Sequence, residues 1–238
     1  MGGLTDSWVY LSATPLFHLT LTLIAFQAGD VLSRRFGGTP LLNPVMIGVG
    51  IVVAVLLLTG TDYAVYFEGA QFVHFLLGPA TVALAVPLYR QFALVRRSAL
   101  ALAASLLAGS ASAVVAAVAI GHVMGANEAL VASLAPKSVT APVAMGIAEQ
   151  IGGVPSLTAV LVLATGITGA MFGPLMLDLL RIRSPEARGL ALGTASHGIG
   201  TARALQDSEA AGAFSGLAMG LNALATALLL PILWALVF

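Results

Sequence analysis

The stretch Ala135-Pro136-Lys137-Ser138-Val139-Thr140-Ala141-Pro142 sets a lysine, two hydroxyls and two prolines between long apolar segments. An ammonium in such a place costs ~2.5–3.5 kcal/mol even on a lenient membrane-insertion scale. Prolines at 136 and 142 prevent one regular helix and release backbone groups from the helical ladder. Inside a bilayer, broken backbone is tolerated where it is buried in protein or lines a watery cavity. The stretch therefore reads as half of an anion-binding site.

Its surroundings fix the class. Of 238 residues, 59% are hydrophobic and 8% charged; a soluble domain carries about 25% charged residues. Mean hydropathy is +1.01. Several apolar runs reach the ~20 residues that cross a bilayer as a helix, and the ~10-residue alternation of a membrane β-barrel is missing. The expected fold is an all-α, polytopic transmembrane bundle. Zero net charge without a basic tract gives no reason to expect nucleic acid as a partner. Without cysteine there are no disulfides or thiolate metal sites. No Lys or Arg precedes the first apolar run, so the positive n-region of a cleavable signal peptide is not seen.

Spans are expected at 13–32, 43–59, 70–88 and 99–124. Arg34-Arg35 and the Arg90–Arg97 cluster alternate with the acidic loop Asp62…Glu68. The positive-inside rule then puts the arginines in the cytoplasm and the N-terminus outside. Segment 127–153 is followed by an apolar run, 154–180, which ends in Arg181, Arg183 and Arg188. Those charges fall on the cytoplasmic side if 127–153 dips in and returns, and outside if it crosses; the re-entrant hairpin is preferred.

The next segment, 185–209, is also interrupted, around Gly193-Thr-Ala-Ser-His-Gly-Ile-Gly-Thr-Ala-Arg203, before a last run to 238. An offset of 60 aligns the blocks weakly: Ala135 with Ala195, Lys137 with His197, Ala144 with Ala204. The expected organisation is one membrane domain, 1–238. Within it, 1–125 is mainly scaffold, and 126–180 and 181–238 are candidate inverted repeats carrying the site. Broken helices of inverted repeats meeting at the midplane are a common transporter plan. Gly78-Pro79-Ala80-Thr81 reads as a third broken element.

Several long motifs in collinear order then carry a family resemblance. They are Asn43-Pro44, Tyr66-Phe-Glu-Gly69, Leu77-Gly-Pro-Ala-Thr-Val-Ala-Leu-Ala-Val-Pro-Leu-Tyr89, the two interrupted blocks, and Gly212-Ala-Phe-Ser-Gly-Leu-Ala-Met-Gly-Leu-Asn222. Over roughly residues 15–238 the chain resembles the LrgB/CidB family. That resemblance implies either of two functions. One is a holin/antiholin-like regulator of murein hydrolase export and cell lysis. The other is a carrier of small monocarboxylates: pyruvate in bacterial members, glycolate and glycerate in a plastid translocator whose LrgB-like domain is similar. It also implies a multi-pass protein of the bacterial cell membrane with an LrgA/CidA-like partner subunit.

From the residues themselves, the first expectation is a secondary, elevator-like carrier of a small organic anion, not an enzyme. Lys137 supplies a compact positive charge, and Ser138 and Thr140 add hydroxyls. A half-helix beginning near Ser138 would add a positive dipole end. His197, beside Ser196, is a donor to substrate or a proton acceptor, or else is bonded to a neighbouring carbonyl. Thr201 joins this set. Arg203 either holds a carboxylate through two hydrogen bonds or pairs with Asp207 at i+4. Asn222 and Thr81 are candidate contacts that could equally be helix–helix glue. No cofactor or metal site is expected; coupling to H+ or Na+ stays open, and small-residue helix faces allow a homo-oligomer.

Overall fold

A computed structural model describes residues 15–36, 42–76, 79, 82–83 and 85–237. Every regular element among them is helical. Two compact units are present, Met1–Ala83 and Leu84–Phe238.

The first unit holds α1 (Pro15–Arg35), α2 (Pro44–Thr59) and α3 (Tyr63–Phe75). Asn43 caps α2, its side chain accepting from Val45 and Met46, with Pro44 in the first turn. At the other end of α2, Gly60 adopts φ +64°, the left-handed conformation that glycine takes without steric cost. Gly69 lets α3 pack on α1: a Cβ there would lie 2.1 Å from the Pro15 carbonyl oxygen.

The span expected at 70–88 is not one helix. α3 stops at Phe75 and α4 (Ala85–Arg90) follows later. Pro79 accounts for the stop, because a proline ring clashes with the carbonyl four residues earlier, here that of Phe75. Glu68, expected in a loop, lies within α3, whose cap is Asp62.

In the second unit, α4 and α5 (Phe92–Arg97) precede α6 (Ala99–Val123). The chain then runs through α7 (Glu128–Leu134), α8 (Ala141–Gln150) and α9 (Pro155–Leu179). It ends with the broken α10 (Pro185–Asp207) and with α11 (Glu209–Val237). Among the described residues four helices, α1, α6, α9 and α11, are long and apolar enough to cross a membrane; α2 is apolar but shorter.

Segment 127–153 doubles back. Asn127 caps α7 through the Leu130 amide. Tight turns follow, with Lys137 N–H donating to the Leu134 carbonyl and Val139 N–H to that of Pro136. α8 then returns, so that a Cβ on Gly153 would sit 2.9 Å from the Ser133 nitrogen. The Val154 amide donates to Ser133 Oγ at 2.8 Å. A straight helix would separate positions 133 and 153 by about 30 Å.

α10 doubles back as well. Its helical dihedrals fail at Ser196 (φ −132°, ψ 16°) and His197 (φ 43°, ψ −132°). A Cβ on Gly200 would lie 2.4 Å from the Leu192 carbonyl oxygen, and Arg188 and Asp207 approach to 3.9 Å. In an unbroken helix those two residues would stand about 28 Å apart. Ser184 caps the first leg.

The pattern hairpin then long helix therefore occurs twice. The first hairpin is rooted at the start of α9. The second is rooted at its end, where Arg188 meets Asp178 at 2.6 Å. α11 starts beside the second root, since Cβ atoms on Gly189 and Gly193 would lie 2.1 and 2.2 Å from the carbonyl oxygens of Ala211 and Ser215. It reaches the first root, where Trp234 lines a small cavity with Val131 and Ile151. Ala135, Val139, Ala144, Ile147, Val162 and Leu230 form the core around the first hairpin.

Candidate functional site

The site is built where the hairpin tips reach α9 and α11. One face of α11 carries Ser215, Asn222 and Thr226, all buried in an otherwise apolar helix. Asn222 lies at its centre. Its Nδ2 donates to the Thr194 carbonyl at 3.0 Å and to the Ser138 carbonyl at 3.4 Å. One amide thus binds the end of the second hairpin's first leg and the tip of the first hairpin. Both carbonyls are free to accept because helical hydrogen bonding is interrupted at each tip.

Lys137 is half-buried on the first tip, its Nζ 3.3 Å from Ser138 Oγ. Among the described residues no carboxylate pairs with it. Thr140 is the cap residue of α8 but makes no side-chain capping bond. α8 starts at Ala141, three residues later than the expected half-helix. The turns through Pro136–Val139 use up the intervening residues, and Pro142 in the first turn removes one amide donor.

At the second tip, His197 Nε2 lies 3.0 Å from the Val162 carbonyl of α9. This is the carbonyl-bonded alternative. Thr201 Oγ1 donates to the His197 carbonyl and lies 2.9 Å from Ser215 Oγ. The Ser196 hydroxyl is buried against Gly169 and has no hydrogen-bond partner among the described residues. Gly166 and Gly169 give this tip its seat on α9: a Cβ on Gly166 would be 2.6 Å from the imidazole of His197.

The structure thus ties Ser138 to Asn222 and, on the second tip, His197 to Val162 and Thr201 to Ser215, with Lys137 and Thr140 on the first tip and Ser196 on the second. It does not bring in Arg203, which lies down the second leg and pairs with Asp207 at 2.7 Å. Thr81 lies outside the described residues. Sequence reasoning missed Thr194 and Ser215. The signal for Ser215 was the polar stripe on α11, since positions 215, 222 and 226 share one helical face. Thr194 also lines a cavity of about 450 Å³ between α6 and α10, together with the hydroxyls of Ser105 and Ser112. Among the described residues no three His, Asp or Glu side chains cluster as metal ligands.

The first unit holds a separate polar group. His18 is buried with both ring nitrogens unpartnered among the described residues, edge-on to Tyr66. The Tyr66 hydroxyl lies 2.9 Å from that of Thr22.

The family model described as LrgB-like matches residues 22–236. The chain belongs to the LrgB-like family. It is 39% identical to the uncharacterized protein YxaC of Bacillus subtilis, over 86% of this chain and 89% of that protein. It is 30% identical to the holin-like protein CidB of Staphylococcus epidermidis, over 94% and 96% of the two chains. To the antiholin-like protein LrgB of Bacillus mycoides it is 29% identical, over 92% and 95%. No solved structure matches. With four candidate membrane helices and holin-like relatives, this LrgB-like chain is a multi-pass membrane protein. Both hairpins and the Asn222 contact lie inside the matched range.

Proposed function

We propose that this LrgB-like protein is a secondary carrier of small monocarboxylates, of the size of glycolate, glycerate or pyruvate. The observation that carries the proposal is Asn222 joined to two hairpin tips of opposite root, beside a half-buried Lys137 without a carboxylate partner among the described residues. A half-buried positive charge at a hairpin tip favours an anion. Opposite roots give two hairpins that, as re-entrant inverted repeats, would each face one side of the membrane. Alternating access, elevator-like, would expose the tip site to either side in turn. The N-terminus lies outside the bacterial cell membrane in this scheme, and an LrgA/CidA-like subunit joins the protein there. Lys137, Ser138, Thr140, Ser196, His197, Thr201 and Asn222 make the site. H+ or Na+ provides the coupling, and no bond of the substrate is made or broken.

A second reading is a holin- or antiholin-like protein that governs envelope permeability and murein hydrolase export. The names of the holin-like and antiholin-like relatives favour this reading. It predicts passage of unrelated solutes and indifference to the charge at Lys137. Uptake of labelled glycolate, glycerate and pyruvate into proteoliposomes separates the two. The carrier requires saturable uptake that Lys137→Ala abolishes while the protein still folds. Wild-type uptake in that variant refutes the assigned site.

A further inference from the structure

We infer that the groove between α6 and the first leg of α10 is the water-filled route by which a small anion reaches the hairpin tips. The inference rests on the carrier reading above and adds to it the route, the end from which it opens and the residues that line it. Ala187, Ala191 and Ala195 recur every four residues along one face of the first leg, from the second root to the tip. Ser105, Gly109 and Ser112 line the groove from α6. All of these but Gly109 are exposed, so the two helices bound about 450 Å³ walled mainly by small side chains. Small-molecule sites take about 300–1,000 Å³.

The inner end of the groove is polar. Thr194, which lines it, is 6% exposed, and its hydroxyl has no partner among the described residues. Its backbone carbonyl is the one that Asn222 holds, so groove and tips share a residue. A buried hydroxyl without a partner is costly; water or a polar solute in the groove relieves that cost, and a lipid chain does not. Ser105 adds a second hydroxyl. That of Ser112 donates to the Gly109 carbonyl at 2.9 Å and keeps its lone pairs.

The outer end is positive. α6 runs alongside α11: Ser110 Oγ lies 3.3 Å from Thr226 Oγ1, and farther along His122 and Trp234 line one cavity at the first root. α6 therefore begins towards the second root, and with it Arg96 and Arg97, which end α5. Arg181 and Arg183 lie between α9 and α10. None of these four arginines has a carboxylate partner among the described residues. The first root carries Glu128 and Glu149, with no Lys or Arg between 121 and 130 or between 147 and 155. A cleft lined by one sign of charge concentrates the opposite ion, so anions gather where the groove opens.

The chain has no cysteine, so single cysteines report on the groove. Ser105→Cys, Ser112→Cys and Ala191→Cys of the full chain, in proteoliposomes, are treated with an anionic and with a cationic methanethiosulfonate, neither of which crosses a bilayer. Leu107→Cys, on the opposite face of α6 and 50% exposed, is the control. The three groove positions should react and the control should not. Relative to a free thiol, the anionic reagent should be faster by about tenfold. Saturating glycolate should suppress labelling of Ser112→Cys. Labelling of the groove by a lipid-soluble maleimide alone means that lipid or another helix fills it, and overturns the inference. So do equal rates for the two charges, labelling of the control, or labelling that glycolate leaves unchanged. Those results leave the carrier reading standing where the wild type takes up glycolate with saturation; absence of any saturable uptake ends both. If one variant fails to fold, the other two groove positions decide.

Discussion

Gly166→Ala probes the seat of the second hairpin. The new methyl would lie 2.6 Å from Cε1 and 2.8 Å from Nε2 of His197, where ordinary contact begins at 3.4 Å. Ile199 Cδ1, at 2.9 Å, blocks the other direction. The imidazole must withdraw by several tenths of an ångström, which breaks its bond to the Val162 carbonyl. Overpacking of this kind costs about 1–3 kcal/mol. In a chain of this size each kilocalorie moves the midpoint by roughly 2–4 °C. Thermal unfolding of purified protein in detergent should therefore fall by about 2–12 °C. Gly146→Ala is the control, because its Cβ would meet nothing within 4 Å; it should leave the midpoint unchanged or raise it slightly. The decisive arm is the double variant. His197→Ala removes the obstacle, so Gly166→Ala should cost less in that background, by about 0.5–3 kcal/mol of coupling. A penalty that is the same in both backgrounds would refute the packing argument.

Other outcomes follow from the same geometry. Arg203→Ala removes an exposed i,i+4 pair worth about 0.3–0.5 kcal/mol, and uptake by this variant should stay close to wild type. Since the chain has no cysteine, Arg188→Cys with Asp207→Cys should be joined by a short bismaleimide, giving a mass shift. Failure of that link would argue for a straight α10. Asn222→Leu removes both donated bonds, at roughly 0.5–1.5 kcal/mol each, and should lower the unfolding midpoint in detergent by about 2–12 °C.

The first hairpin was legible because its breakers are local: Pro136, Pro142 and Gly152-Gly153 bracket a short apolar segment. The second was legible only as an interruption. Its turn falls on Ser196 and His197, where a histidine adopts φ 43° although Gly198 is adjacent. A non-glycine residue in that region is held by its surroundings, and the surroundings are Gly166 and Gly169, some thirty residues earlier. The third expected span failed because hydropathy ignores what Pro79 does to the carbonyl of Phe75. The Arg203–Asp207 pair, outside the site, was visible from i+4 spacing. The role of Asn222 was not, since its partners are 84 and 28 residues away in the chain, and no pattern within one helix encodes them.

The most direct test loads one set of proteoliposomes with a fluorescent dye and follows labelled hydroxy-acid entry and dye retention together as substrate concentration rises. A carrier predicts entry that saturates while the dye stays inside. Entry that rises linearly with concentration, accompanied by loss of dye, would contradict the carrier account and establish the pore.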